Sequence, residues 1–220
     1  MKRNKIICLI PARSGSTRIK NKNIVKIKNK PMIQYSLNAA LKSKLISKIY
    51  VATNSKKIKN SIKIFNQKKI NIISRSKQSE TQYAKTEVLL NEFCKNYDFD
   101  ILVLLQITNI FITSKILDNA LKKFILSKAD GLVSVIKFVN FVWKKNKNFI
   151  KPFNYNPKKR PRSQEFNNFV LENGSFYIFR RKKYLKHQNR IHGKITFFEM
   201  PKKSYFDIDT KEDLKIVKSL

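Results

Sequence analysis

Ile6-Ile7-Cys8-Leu9-Ile10-Pro11-Ala12-Arg13-Ser14-Gly15-Ser16-Thr17-Arg18-Ile19-Lys20-Asn21-Lys22-Asn23 runs from an unbroken apolar stretch straight into a basic loop. Successive apolar residues ended by a proline predict a short strand buried on both faces, as in a parallel sheet. Ligands of such sheets bind beyond the carboxyl ends of the strands, which is where this loop stands. Gly15 and its small neighbours let backbone N–H groups approach phosphate oxygens. Arg13, Arg18 and Lys22 carry charge to neutralise a triphosphate. The spacings G-x-x-x-x-G-K-[ST] and G-x-G-x-x-G are both absent, so this is neither a Walker-type loop nor a dinucleotide fingerprint. On charge alone the loop reads as a solvated basic turn, and the rest of the chain decides its meaning.

Downstream, strand and helix signals alternate. Residues 32–44 predict a helix, with Ile33, Leu37, Leu41 and Leu45 spaced four apart. Strands follow at 49–53, 70–74, 101–105 and 132–136, and helices at 56–65 and 86–95. Ser114 is placed to cap a helix running to residue 127. Repeated β-α-β units with short loops predict an α/β three-layer sandwich with a mostly parallel, Rossmann-like sheet. The pattern breaks at 138–168, where Pro152, Pro157 and Pro161 lie among basic and aromatic residues. That segment is expected to be an arm on a single domain spanning 1–220. Strands resume at 169–179, 196–200 and 205–208, and 211–220 predicts a closing helix.

Composition bounds the function. Hydrophobic residues make up 42% of the 220, which excludes a disordered chain. No apolar run is long enough to span a bilayer, and the apolar start is too short for a signal peptide. The expectation is a soluble cytoplasmic protein with no membrane contact. Cys8 and Cys94, the only cysteines, form no C-x-x-C and read as buried thiols in a reducing compartment. Lys and Arg number 48 against 14 acidic residues, a formal charge of +34. A nucleic-acid-binding protein is one reading of that charge. Lysines spread along the whole chain, with abundant Ile and Asn, fit compositional drift better, and the positive field still attracts nucleotides and acidic sugars.

Six ordered motifs then carry a resemblance. Ile10 to Asn23, Lys30-Pro31-Met32-Ile33-Gln34-Tyr35-Ser36, Ile49-Tyr50-Val51-Ala52-Thr53, Leu104-Leu105-Gln106-Ile107-Thr108, Glu172-Asn173-Gly174-Ser175-Phe176-Tyr177 and Phe206-Asp207-Ile208-Asp209-Thr210 resemble segments of the acylneuraminate cytidylyltransferase (CMP-sialic acid synthetase) family. The resemblance implies the nucleotide-diphospho-sugar transferase type of the fold, with a dimerisation arm. It implies transfer of CMP from CTP to an acidic nine-carbon sugar with release of pyrophosphate, for surface polysaccharide or glycan synthesis. Alternatives within that chemistry are CMP-legionaminate or another bacterial nonulosonate, and 3-deoxy-manno-octulosonate.

The resemblance also implies roles for residues. Ala12, Arg13, Ser16, Lys22, Asn23 and Arg75 would bind the nucleotide, with Arg75 near the cytosine. Arg13, Lys22 and Asp209 would be catalytic. Gln106, Lys144, Arg162, Gln164 and Asn173 would bind the sugar, with Lys144 facing its carboxylate. Asp207 and Asp209, on the same face of a strand at 205–208 and its end, would hold Mg2+ (or Mn2+). Thr210 with Asp213 also spells a helix-capping box, which competes for Asp209. Departures from the family pattern fall at Thr17, Lys20, Asn54, Ile112 and Ser163. A homodimer is expected, with the arm covering its partner.

Overall fold

The computed structural model describes residues 4–15, 18–81, 83–166 and 169–220. Strand β1 (Ile6–Pro11) leads through the basic loop to a small hairpin, β2 (Lys26–Ile27) and β3 (Lys30–Pro31), then to helix α1 (Met32–Lys42). The hairpin turns on Lys28 and Asn29 alone, both at positive φ (47° and 64°), the geometry that matches the twist of the flanking strands. Next come β4 (Lys48–Ala52), α2 (Lys56–Lys63), β5 (Ile70–Ile73), α3 (Lys77–Glu80), α4 (Thr86–Asn96) and β6 (Ile101–Leu105). Helix α5 (Ser114–Ser127), β7 (Gly131–Phe138) and a second hairpin, β8 (Trp143–Asn146) with β9 (Phe149–Pro152), follow. The chain closes with β10 (Phe169–Arg180), α6 (Arg181–His187), β11 (Ile195–Glu199) and α7 (Lys211–Ser219).

The main sheet has seven strands in the order β11-β7-β10-β6-β1-β4-β5. All run parallel except β10, which is antiparallel to both its neighbours. Alternate residues of each strand enter different cores. Cys8, Val103 and Ile178 face one core with Leu37, Ile58, Leu121 and Val217. Leu9, Leu104 and Phe179 face the other with Leu90, Phe93 and Tyr184. Helices thus cover both faces, α1, α2, α5 and α7 on one and α4 and α6 on the other, which is the three-layer sandwich expected. It also explains the unbroken apolar runs, because no central strand has a wet face.

Burial decides the state of both thiols. Cys8 is held well above the ordinary thiol range by desolvation, and Cys94 is pushed up to about 12 by the same cause. Neither is activated as a nucleophile.

Two expectations are corrected. Thr113, not Ser114, caps α5, its hydroxyl accepting the Ile116 N–H at 3.3 Å. Residues 205–208 are not a strand. A 3-10 turn, Lys202–Tyr205, leads into an extended segment tied to the end of β6 by Ile208 N–H to Thr108 O at 3.0 Å. The reason is topological: β6 lies between β1 and β10, so the segment finds no free edge and crosses the carboxyl end of β6.

Candidate active site

A cleft of about 370 Å³ opens at that carboxyl end. The loop after β1 forms one wall. Ala12 is fully buried, and its N–H continues the β1–β4 ladder to Ala52 O at 3.0 Å. It sets the direction in which the loop leaves the sheet and does not line the cleft. Asn23 donates its amide to Arg13 O at 2.8 Å, pinning the far end of the loop to its start. Asn21, at φ 54°, then turns the chain into a 3-10 turn at Lys22–Ile24. Arg13, Arg18, Lys22 and Asn23 all line the cleft. Ser16 lies outside the described residues.

The opposite end of the chain supplies the acids. Lys22 Nζ lies 2.6 Å from Asp209 Oδ1, and Arg18 Nη1 3.4 Å from Asp209 Oδ2. The capping box is present as well. Thr210 Oγ1 accepts the Asp213 N–H, and Asp213 accepts the Thr210 and Asp209 N–H groups. The two readings therefore do not compete: Asp213 and Thr210 cap α7, which leaves the Asp209 carboxylate to the cleft. Asp207 stands beside it, with Oδ1 buried and without a hydrogen-bond partner among the described residues. Burial raises its pKa, against a hydrogen bond from the Thr108 hydroxyl that lowers it.

That unpartnered oxygen is the test for a cation. Among the described residues no group of three or more acidic, His or Cys side chains is gathered to make a self-sufficient metal cage. Two carboxylates, one with an oxygen awaiting a partner, suit a hard cation that takes its remaining ligands from water and phosphate. Asp207 and Asp209 fit Mg2+ in that way.

Strand β10 builds the third wall. Its register against β7 shifts between Glu172 and Tyr177, and this bulge carries Gly174 at φ +64°. A Cβ there would make only ordinary contact, 3.6 Å from Asp207 Oδ2, so it is the backbone angle that calls for glycine. Ser175 O accepts the Gln106 N–H at 2.9 Å, and Gln106 O accepts the Ser36 hydroxyl at 3.1 Å. With its main chain held twice, Gln106 lines the cleft.

Asn173 is turned away. Its amide is buried, donating to Ser204 Oγ at 3.0 Å and Ser204 O at 3.2 Å. It anchors the bulge. Tyr177 lines the cleft instead. Its hydroxyl donates to the Glu172 carboxylate, and the Arg190 guanidinium lies over its ring at 4.6 Å. Burial, helped by Glu172, pushes its pKa up to about 12, so it stays protonated with its single O–H committed to Glu172. The motif signalled Tyr177 as well as Asn173. Only the bulge, which breaks the strand's two-residue alternation, tells which of them faces the cleft. Thr86 and Leu89 on α4 complete the lining, and no sequence signal singled them out.

Arg75 completes the basic wall. It is only 8% exposed, lines the cleft, and donates to Ser79 O. Lys144 on β8, Arg162 and Gln164 are exposed on the arm and do not line the cleft. The arm has an aromatic cluster of its own, with Phe141 against Tyr155 at 4.7 Å and Phe166 at 5.1 Å, and Arg160 over Phe141 at 4.3 Å.

Comparison with known proteins adds to this geometry. A family model described as cytidylyltransferase matches residues 7–220. The chain is 29% identical to N-acylneuraminate cytidylyltransferase A of Danio rerio over 94% of its own length and 49% of the relative's. It thus spans about half the length of that relative. It is 28% identical to the pseudaminic acid cytidylyltransferase of Campylobacter jejuni subsp. jejuni (strain ATCC 700819), covering 98% of this chain and 96% of that one. Among solved structures, a CMP:2-keto-3-deoxy-manno-octonic acid synthetase complexed with CTP superposes with a TM-score of 0.71 at 19% identity, over 98% of this chain and 97% of that one. This last likeness speaks for the fold.

Proposed function

The chain belongs to the cytidylyltransferase family, and we propose that it transfers CMP from CTP to a nonulosonic acid of the N-acylneuraminate type. One observation carries the reading. Lys22 and Asp209, 187 positions apart, meet at 2.6 Å in a cleft that also holds Arg13, Arg18, Arg75 and Asp207. Cations for a triphosphate and carboxylates for a counter-ion stand together there, as phosphoryl transfer by positioning and charge neutralisation requires.

In this reading the anomeric hydroxyl of the sugar attacks the α-phosphorus. The bond from that phosphorus to the bridging oxygen breaks, and pyrophosphate leaves. Arg13 and Lys22 hold the β- and γ-phosphates, and Arg75 faces the cytosine. Gln106 orients the sugar, and Tyr177 presents an uncharged side chain on the same wall. Asp207 and Asp209 would hold Mg2+, which when bound neutralises phosphate charge and acidifies a nearby hydroxyl. No side-chain nucleophile is needed. No described helix is long and apolar enough to cross a membrane, and the reading takes the cytoplasm as the working compartment.

The test is pyrophosphate release from CTP and magnesium with a panel of acid sugars. Turnover is expected with N-acylneuraminate, none with CTP alone, and none after chelation of the metal. Turnover on pseudaminate or another nonulosonate alone would move the substrate within the class. Failure on every acid sugar would overturn the reading.

The arm enters as the proposed seat of a homodimer. Phe149 is 81% exposed and Phe153 68%, and Val170 and Leu171 on β10 are also uncovered. Bare apolar side chains on the arm and at the start of β10 mark an interaction surface. Within one chain Lys144, Arg162 and Gln164 do not line the cleft, so in this reading any role they have toward the sugar is exercised across the dimer. Sedimentation equilibrium should give twice the monomer mass, and Phe149→Asp with Phe153→Asp should return it to the monomer value. A monomeric wild type would remove the proposal.

A further inference from the structure

Asn54, two positions past the end of β4, grips the main chain of Arg75. Its Oδ1 accepts the Arg75 N–H at 2.9 Å, and its Nδ2 donates to Arg75 O at 2.9 Å and to Glu80 Oε2 at 2.7 Å. An amide has two N–H donors and a carbonyl acceptor, so Asn54 is fully used. The flipped amide would set its oxygen against a carboxylate and a carbonyl, which fixes the orientation. Glu80 closes the short helix α3. Two carbonyl groups at that end reach the cleft arginines: Ser79 O accepts from the Arg75 guanidinium, and Thr81 O accepts from Arg13 Nη1 at 3.2 Å. Neither Asn54 nor Glu80 lines the cleft itself. Arg75, by contrast, keeps a buried Nε–H without a hydrogen-bond partner among the described residues. A buried donor left open beside a polar cleft is completed by an acceptor on a ligand.

We propose that Asn54 and Glu80 are a matched pair of positioning residues that aim Arg75 and Arg13 at the nucleotide through α3. The inference rests on CTP being the substrate. The match is one neutral amide against one carboxylate. An aspartate at position 54 would bring two acids together and set one of them against the Arg75 carbonyl, so the turn opens or takes up a proton. A glutamine at position 80 would then restore the bridge in the opposite sense, its amide donating to the introduced carboxylate. Burial first, and then the neighbouring Arg13, lower the pKa of Arg75, while Glu80 and Glu92 offset part of that.

The experiment measures CTP binding by calorimetry on the full chain, with KM for CTP and for the acid sugar alongside. Asn54→Asp and Glu80→Ala are each expected to weaken CTP binding about tenfold and to leave the sugar KM within about twofold. Adding Glu80→Gln to Asn54→Asp is expected to recover part of the lost CTP binding, since the bridge to position 80 returns while the carboxylate still faces the Arg75 carbonyl. Glu80→Ala introduces no clash, so it keeps the test open should Asn54→Asp fail to fold. Wild-type CTP affinity in Glu80→Ala overturns the inference, and so does an equal loss for CTP and sugar. A wild type that does not bind CTP refutes the substrate reading itself, a result distinct from any difference among the variants.

Discussion

Asp209→Asn is expected to lower kcat at saturating CTP by at least about a thousandfold, roughly 4 kcal/mol of transition-state stabilisation. The substitution keeps the shape of the side chain and removes one negative charge. The proposed magnesium site would lose one of two carboxylates, and Lys22 and Arg18 would lose their shared partner at 2.6 Å and 3.4 Å. The fold is expected to survive, since Thr210 and Asp213 cap α7 without the Asp209 side chain. Circular dichroism and the thermal midpoint should match the wild type while pyrophosphate release disappears. Retained turnover would leave Asp209 as a mere counter-charge for Lys22.

Lys22→Met should act first on the nucleotide. The Lys22 side chain is 15% exposed, so its ammonium acts with little solvent screening, and the 3-10 turn behind Asn21 fixes its position. Removing a charge-assisted contact to the β- and γ-phosphates should raise KM for CTP about a hundredfold, with a smaller fall in kcat. Steady-state kinetics in CTP, with the sugar saturating, would check this. The double variant with Asp209→Asn should cost less than the sum of the singles, because the two share one contact. Full additivity would mean that the pair does not act as a unit. An unchanged KM would take Lys22 out of the phosphate site.

The two carboxylates show how far the sequence could be read. Asp207-x-Asp209 was expected to present both acids from one face of a strand, and the strand does not exist. The acids still reach the cleft, because the segment carrying them crosses the end of β6 and is anchored there by Ile208. The capping signal at Thr210 and Asp213 was also legible and correct, but sequence could not say that both readings hold at once. That needed the direction of the Asp209 side chain. Arg13, Lys22, Asn23 and Gln106 stand in motifs that follow buried strands and Arg75 stands just past β5, and the parallel sheet brings those strand ends together at the cleft. Lys144, Arg162 and Gln164 were read from the same kind of motif, but they sit on an arm outside the sheet, where strand order dictates nothing.

What the sequence determined by itself was the layered sheet and the family. Unbroken apolar runs such as Ile101–Leu105 have no other low-energy home than a strand covered on both sides, and six motifs in order left one family to resemble. Only the tertiary structure decided the composition of the cleft. The bulge at Gly174 turns Asn173 inward and Tyr177 toward the cleft, and Asn54 meets Glu80 across a turn. The physical reason is the same in each case. Apolar periodicity is a local property that a chain carries in its residues, whereas the aim of a polar side chain depends on partners far away in sequence. The basic loop that began at Pro11 became a wall of the cleft when Asp209, brought back from the other end of the chain, stood 2.6 Å from Lys22.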